Sequence, residues 1–233
     1  MVHPNVDPIV TGLNPVVTTI DESGTMAQPY MTTPSQNGVS VGGNVIRYPV
    51  ADGFDIDYTV GEVELKQNLV VRERPVLDDS AAYFGLTEQM RLPVGYGLFL
   101  GNDVIREEVT QTQDELSIRN LETGDLLATI PVPVVIEMDA DEPYHATYFV
   151  QVFGSTVFLT TAVDSEWLMD EDRQFPLAID PSISVTRNAG GYCYIYYGYC
   201  YSSSYSYLRH SGSNIYYMPW HRYTFSSANA LPT

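Results

Sequence analysis

The sequence contains a single lysine, Lys66, so ten arginines supply nearly all of its positive charge. Because 29 side chains are acidic, the 233 residues have a formal charge of −18 at pH 7. A chain this negative repels nucleic-acid phosphates and anionic lipid headgroups, so we expect neither a nucleic-acid partner nor a membrane-surface role. Such a composition is typical of proteins kept soluble in salty water, of proteins that meet divalent cations, and of plain acidic surfaces.

Long hydrophobic runs are also missing, because no stretch approaches the roughly 18 apolar residues of a membrane-spanning helix. We therefore predict no membrane insertion. The first residues lack the charged and apolar segments of a signal peptide, and we expect the chain to be excised from a longer protein. A hydrophobic content of 44% is typical of a globular protein with a buried core.

Only two cysteines are present, Cys193 and Cys200, and they lie close together in a tyrosine-rich segment. Two thiols are too few for a structural metal site, so the spacing predicts a local disulfide in an oxidising, extracellular compartment. Gly198 lies between them and favours the chain reversal that such a bond requires. A bond closing so short a loop would stabilise the segment by about 2–3 kcal/mol.

The composition changes sharply near residue 188. Residues 188–233 hold 11 of the 18 tyrosines and both cysteines but no Asp, Glu or Lys, whereas residues 1–187 carry all 29 acids and nine basic side chains, a charge of −20. The break predicts a module boundary. We expect an extended, proline- and threonine-rich lead-in at 1–35, an acidic β-sandwich at 36–183, and an incomplete tyrosine-rich β module at 184–233.

Alternation of apolar and polar residues predicts an all-β fold of antiparallel strands. Phe54, Ile56 and Tyr58 share a face that we expect to be buried, whereas Asp55 and Asp57 share a face that we expect to be solvated. Further strands are predicted at 16–20, 39–48, 63–71, 97–100, 115–119, 126–130, 134–138, 146–153 and 156–163.

Two local signals interrupt this pattern. Pro131 and Pro133 remove two backbone donors, so the segment is expected at a sheet edge or in a crossover. One short helix is predicted at Ser165–Met169, with Asp164 as its N-cap.

Catalytic patterns are weak. Residues 38–42 match the G-x-S-x-G nucleophile elbow around Ser40, but the elbow requires a helix after the serine, and a strand-like run follows instead. We interpret the segment as a turn. An ester or glycoside hydrolase therefore remains a third, less favoured hypothesis, since paired carboxylates for glycoside cleavage depend on tertiary distances.

Acidic loop residues raise the question of calcium, which binds six to eight oxygen atoms. The candidate ligands are Asp139, Asp141, Glu142, Asp170 and Asp172. None fits an EF-hand spacing, so a solvated acidic face is the favoured interpretation, and we expect no cofactor other than possible calcium.

The tyrosines of the C-terminal segment alternate along the chain and have two interpretations. Exposed rings would stack on sugar rings or on a partner protein, whereas buried rings would fill a small β core. The candidate stacking residues are Tyr194, Tyr196, Tyr216, Tyr217 and Trp220. A truncated module would expose such rings and favour self-association.

The stretch 167–183 reads W-L-M-D and then R-Q-F-P-L-A-I-D-P-S-I. It resembles a junction that closes a β domain of unknown function in large prokaryotic surface proteins, where the domain precedes DNRLRE (disaggregatase-related) modules or the YD repeats of Rhs-type proteins. The segments 46–60, 65–75 and 126–133 resemble further blocks of that domain. The C-terminal segments 207–209 and 218–232 resemble the start of a DNRLRE jelly roll, which implies a partial jelly-roll-like module.

These observations lead to two main hypotheses. The first is a non-catalytic structural or adhesion module of a larger secreted or cell-surface protein, whose partners are neighbouring modules or other surface proteins. The second is a polysaccharide-binding module for acidic glycans, because some DNRLRE-like jelly rolls resemble carbohydrate-binding modules.

Overall fold

The computed structural model describes residues 10–30, 38–60, 65–106, 108–137, 140, 142–180, 192–196 and 199–203. Within them the chain is almost entirely β-strand, with one short helix. Every strand pairing is antiparallel, which confirms the predicted all-β class.

In chain order the elements are β1 (Val10–Asp21), β2 (Met26–Ala27), β3 (Val39–Gly42), β4 (Val45–Ala51), β5 (Phe54–Val60), β6 (Leu65–Val71), β7 (Ala81–Arg91), β8 (Tyr96–Leu100), β9 (Asp103–Val104), β10 (Thr110–Thr112), β11 (Leu116–Asn120), β12 (Leu126–Ile130), β13 (Val134–Glu137), β14 (Tyr144–His145), β15 (Thr147–Phe153), β16 (Thr156–Asp164), α1 (Ser165–Met169), β17 (Leu177–Asp180), β18 (Tyr192–Tyr196) and β19 (Tyr199–Ser203).

These strands form three large sheets and one hairpin. The six-stranded sheet has the order β10-β15-β16-β7-β1-β2, the seven-stranded sheet the order β14-β13-β17-β6-β5-β4-β3, and the four-stranded sheet the order β12-β11-β8-β9. Strands β18 and β19 pair with each other and with no other described strand. Since the larger sheets bury side chains against one another, the body is a sandwich.

The first core lies between the six-stranded and the seven-stranded sheet. Phe84 and Leu86 of β7 pack there against Phe54, Ile56 and Leu69 from β5 and β6. All five side chains are fully buried, and each contributes roughly 1.5–3 kcal/mol of transfer free energy. The inward face predicted for β5 is therefore confirmed.

The second core lies between the six-stranded and the four-stranded sheet. Met90, Tyr148 and Leu159 from β7, β15 and β16 pack against Leu98 and Ile118 from β8 and β11. Side chains two apart along a strand share a face, so β7 presents Phe84, Leu86 and Met90 on the same side. One face of the six-stranded sheet thus supports both cores.

The local signals of the sequence are confirmed. Helix α1 has the predicted bounds, and the backbone N–H of Trp167 donates to Asp164 Oδ1 at 3.0 Å, as an N-cap requires. The segment of Pro131 and Pro133 links β12 in the four-stranded sheet to β13 in the seven-stranded sheet, which is the predicted crossover.

The strand predicted at 16–20 is confirmed as part of β1, which lies between β7 and β2 inside the six-stranded sheet and so joins residues 10–21 of the expected lead-in to the body. Val17 and Ile20 are fully buried there. The predicted strand at 39–48 is corrected, because it is the hairpin of β3 and β4, and Gly42 and Gly43 take positive φ angles at its turn.

The central strand β7 was not predicted at all. Its sequence contains Gly85, where a Cβ atom would collide with the carbonyl oxygen of Thr161 on β16, so only glycine fits this close approach. It also contains Glu88 at a position where the alternation demands an apolar residue. Because of these two residues, the sequence of β7 lacks the regular apolar alternation that predicts a strand.

Candidate functional site

Glu88 occupies the point where β7 passes from the first core to the second. Its side chain shares a face with Leu86 and Met90, and it pairs across the sheet with Leu159. Only 4% of the residue is exposed. A carboxyl group enclosed in this way is costly unless it is hydrogen-bonded or protonated.

The side chains around Glu88 form a polar cluster of Glu88, Gln67, Tyr58, Tyr148 and Thr161. Gln67 of β6, itself buried, donates from Nε2 to Glu88 Oε1. Thr161 Oγ1 is buried on β16 without a hydrogen-bond partner among the described residues. Burial raises the pKa of Glu88 to about 7, and the hydrogen bond from Gln67 opposes that rise.

The same environment raises the pKa of the phenols of Tyr58 and Tyr148. Burial raises the pKa of Tyr58, and the negative charge of Glu88 raises it further. Burial also raises the pKa of Tyr148, with smaller contributions from the charges of Asp180 and Glu88. Tyr148 donates its hydroxyl to the carbonyl of Pro131 at 2.9 Å. Glu88 is therefore the member of the polar cluster that titrates near neutral pH, but its burial keeps it from any dissolved substrate.

A second charged group lies on the opposite face of the seven-stranded sheet. Arg47 of β4 binds Asp57 of β5 through two hydrogen bonds of 2.7 Å. Arg47 Nε lies 3.7 Å and Arg72 Nε lies 3.5 Å from Asp55 Oδ2. Asp55 is only 1% exposed, so the expectation that these aspartates face water is wrong. Arg47 therefore covers Asp57, whereas Asp55 Oδ2 is buried with two ion-pair contacts and no hydrogen bond among the described residues.

A third group surrounds Trp167, the middle residue of α1. The Tyr144 ring stacks on the indole with centroids 4.2 Å apart, and the Arg173 guanidinium lies 4.7 Å from the indole centroid. Arg173 Nη1 also donates to Glu137 Oε2 at 2.8 Å. Because Tyr144 and Arg173 both contact the indole, these contacts fix Trp167 beside the chain that leads to β17.

Trp167 and Arg173 belong to the stretch 167–183 that resembles the surface-protein junction. In the same stretch, the carbonyl of Asp170 accepts a hydrogen bond of 2.8 Å from Arg74 Nη2. The described part of the stretch, 167–180, ends in β17, which pairs with β13 and β6.

The strand register of the β18–β19 hairpin puts the tyrosine positions of its described residues on one face. Tyr194 lies opposite Tyr201, and Tyr196 lies opposite Tyr199. Tyr192, two residues before Tyr194, shares that face. The stacking candidates Tyr194 and Tyr196 therefore lie in one row of five tyrosines. The other three candidates, Tyr216, Tyr217 and Trp220, lie outside the described residues.

The hairpin register does not support the predicted disulfide. Cys193 lies opposite Ser202, and Cys200 lies opposite Ile195, so the cysteines are diagonal neighbours on the other face of the hairpin. Diagonal positions are about 7–8 Å apart, whereas a disulfide requires Cα atoms within about 6.8 Å. A bond would require the hairpin backbone to move, and the disulfide stays a prediction.

The calcium candidates are only partly covered by the structure. Asp139 and Asp141 lie outside the described residues, whereas Glu142, Asp170 and Asp172 are exposed. Asp170 Oδ1 accepts the backbone N–H of Asp172 at 2.8 Å. Within the described ranges no group of three or more His, Cys, Asp or Glu side chains is arranged to hold a metal ion.

Ser40 lies in the exposed edge strand β3, and β4 follows it after the Gly42–Gly43 turn. This is the strand-like context predicted from the sequence, and it lacks the helix of a nucleophile elbow. Glu88 was missed by sequence reasoning. The signal was available, since an acidic residue interrupts the alternation of Phe84, Leu86 and Met90.

Comparison with protein-family models, with curated proteins and with solved structures found no match to the chain. The relation to domains that precede DNRLRE or Rhs-type modules therefore remains a prediction. In the part of the chain that the structure describes, no helix has the length and hydropathy needed to cross a membrane.

Proposed function

We propose that the chain is a non-catalytic structural and adhesion module of a larger secreted or cell-surface protein. The observation that carries this proposal is the continuity of β7 and β16 through both cores. Because each strand is buried against two different sheets, the two halves of the body cannot hinge without breaking continuous strand pairing. Such a body is suited to hold neighbouring modules at a fixed spacing.

The contacts that the reactive side chains make within the fold support the same function. Glu88 is enclosed between the cores, the Trp167 indole contacts Tyr144 and Arg173, and Asp57 is bound by Arg47. Each of these groups, which elsewhere catalyse reactions or bind ligands, is engaged within the fold. The acidic surface keeps such a module soluble and repels most nonspecific contacts.

Two measurements test the proposal. Protease treatment of intact source cells should cleave the protein if it is displayed at the surface. In single-molecule pulling between marker domains, the body should unfold in one event, because both cores share β7 and β16. Separate unfolding of the cores at low force would contradict the structural function, as would ester hydrolysis abolished by Ser40→Ala.

Polysaccharide binding is the second candidate, and the tyrosine row of the β18–β19 hairpin favours it. Rings in a row on one sheet face suit a chain of sugar rings. Affinity electrophoresis in an acidic polysaccharide gel would test it with Tyr194→Ala and Tyr196→Ala. We expect each change to weaken binding about tenfold, whereas the matched control Ile195→Ala, on the opposite face, should not.

A further inference from the structure

Strand β3 is an open edge of the seven-stranded sheet. It pairs with β4 on one side and with no described strand on the other. Its four residues are all exposed, including Val39 at 58% and Val41 at 47%. Unpaired backbone groups along such an edge are a template for another strand.

The other edges of the three large sheets are less suited to accept a strand. Four of them, β2, β9, β10 and β14, have only two or three residues. The fifth, β12, is flanked by Asp125 before it and by Pro131 and Pro133 after it, which are residues of the kind that protect an edge. Proteins usually protect an edge with lysine, other charges or proline, yet the segment 38–45 contains none of these. Among the described strands, β3 is thus the edge most open to pairing.

The complementary element is the β18–β19 hairpin. Its strands are five residues long, uncharged, and paired only with each other, and an isolated two-stranded hairpin is marginal in water. Residues 188–233 contain two arginines and no acid, whereas residues 1–187 have a charge of −20. Opposite charges therefore attract the C-terminal segment to the body.

We propose that the β18–β19 hairpin of one copy adds to the β3 edge of a second copy and extends the seven-stranded sheet. The occupant is another copy because, within one chain, the described strands of the hairpin pair with each other and not with β3. A donor at one end and an acceptor at the other make a head-to-tail contact, which generates open chains of molecules. This inference rests on the proposed structural function and names its partner.

Sedimentation velocity of the full-length chain tests the pairing. We expect a concentration-dependent series of oligomers, and the double variant Val39→Lys with Val41→Lys should raise the apparent dissociation constant at least about tenfold. The control is Val76→Lys with Val94→Lys, which adds the same charge at two valines that are 86% exposed and lie outside strands. That control should assemble like the unchanged protein.

A mixing experiment identifies donor and acceptor. Ile195→Pro removes a donor from the centre of β18 and should abolish assembly while leaving β3 intact. When Ile195→Pro is mixed with the β3 double-lysine variant, whose hairpin is intact, the two variants should form one-to-one dimers. They should form no assembly larger than a dimer. Monomers in the mixture would overturn the inference. Assembly that the β3 lysines do not affect would also overturn it, as would an unchanged protein that stays monomeric at about 100 µM, on the order of ordinary assay concentrations. Single-event unfolding in the pulling experiment would still support the structural function, so the two failures are distinguishable.

Discussion

Replacing Glu88 with glutamine is expected to stabilise the protein above pH 7 and to change its stability little below pH 4.5. In the native state burial raises the pKa of Glu88 from its ordinary 4.5 to about 7. Native protein therefore binds this proton more tightly than unfolded protein does. The stabilisation is complete below the unfolded pKa and is lost as the pH rises through the native pKa.

The magnitude follows from the gap between the two pKa values. A difference between 4.5 and about 7 corresponds to about 3 kcal/mol of lost stability once Glu88 is ionised in both states. About 1 kcal/mol is already lost at pH 5, so about 2.5 kcal/mol should disappear between pH 5 and pH 8. Glutamine cannot ionise and should not show this loss. Against a total stability of about 5–15 kcal/mol, the difference is large.

Urea unfolding, followed by tryptophan fluorescence at several pH values, measures the effect. The free energy of unfolding of Glu88→Gln minus that of the unchanged protein should rise from pH 5 to pH 8. This difference cancels the repulsion among the many surface carboxylates, because both proteins share it. Glu115→Gln, an exposed site with the same charge change, is the matched control for the loss of one negative charge.

Parallel stability curves for Glu88→Gln and the unchanged protein would refute the reasoning. So would a carbonyl infrared titration in which the Glu88 band disappears below pH 5. Either result would mean that water or a charge partner reaches the polar cluster and that the two cores are not sealed around it.

Three further outcomes are expected. Arg47→Ala should lower the free energy of unfolding by about 2–3 kcal/mol, because it removes the partner of the buried carboxylate of Asp57. In a double-mutant cycle measured by urea unfolding, the same arginine change should cost less when Asp57→Asn is also present. Trp167→Ala should cost about 3 kcal/mol and lower the melting temperature, since the indole packs against the first core. Thiol titration of the denatured, unreduced chain should find both Cys193 and Cys200 free if the hairpin keeps its register, whereas zero thiols would show the disulfide.

Much of the fold could be predicted because its signals are local. Strands β5, β8, β11, β12, β15 and β16 were found from alternation or apolar runs, and α1 was found from the cap at Asp164. Strand β7 was not found, because the constraints on Gly85 and Glu88 come from residues that are distant in the sequence. Gly85 is required by the β16 backbone, and Glu88 is accommodated by Gln67 from another sheet.

The candidate site could be predicted less well than the strands. The inward face of β5 was assigned correctly, but Asp55 and Asp57 on the other face were wrongly expected in water, since alternation does not reveal what covers a face. Arg47 reaches Asp57 only because β4 and β5 pair in one register.

By itself, the sequence determined the all-β class, the alternation of faces, the short capped helix and the acidic charge, because each depends on neighbouring residues or on totals. Only the tertiary structure decided which sheet each strand joins, that one sheet supports two cores, and that Glu88 is enclosed between them. These features depend on contacts between residues far apart in the chain, and their free energy comes from burial that no single segment contains.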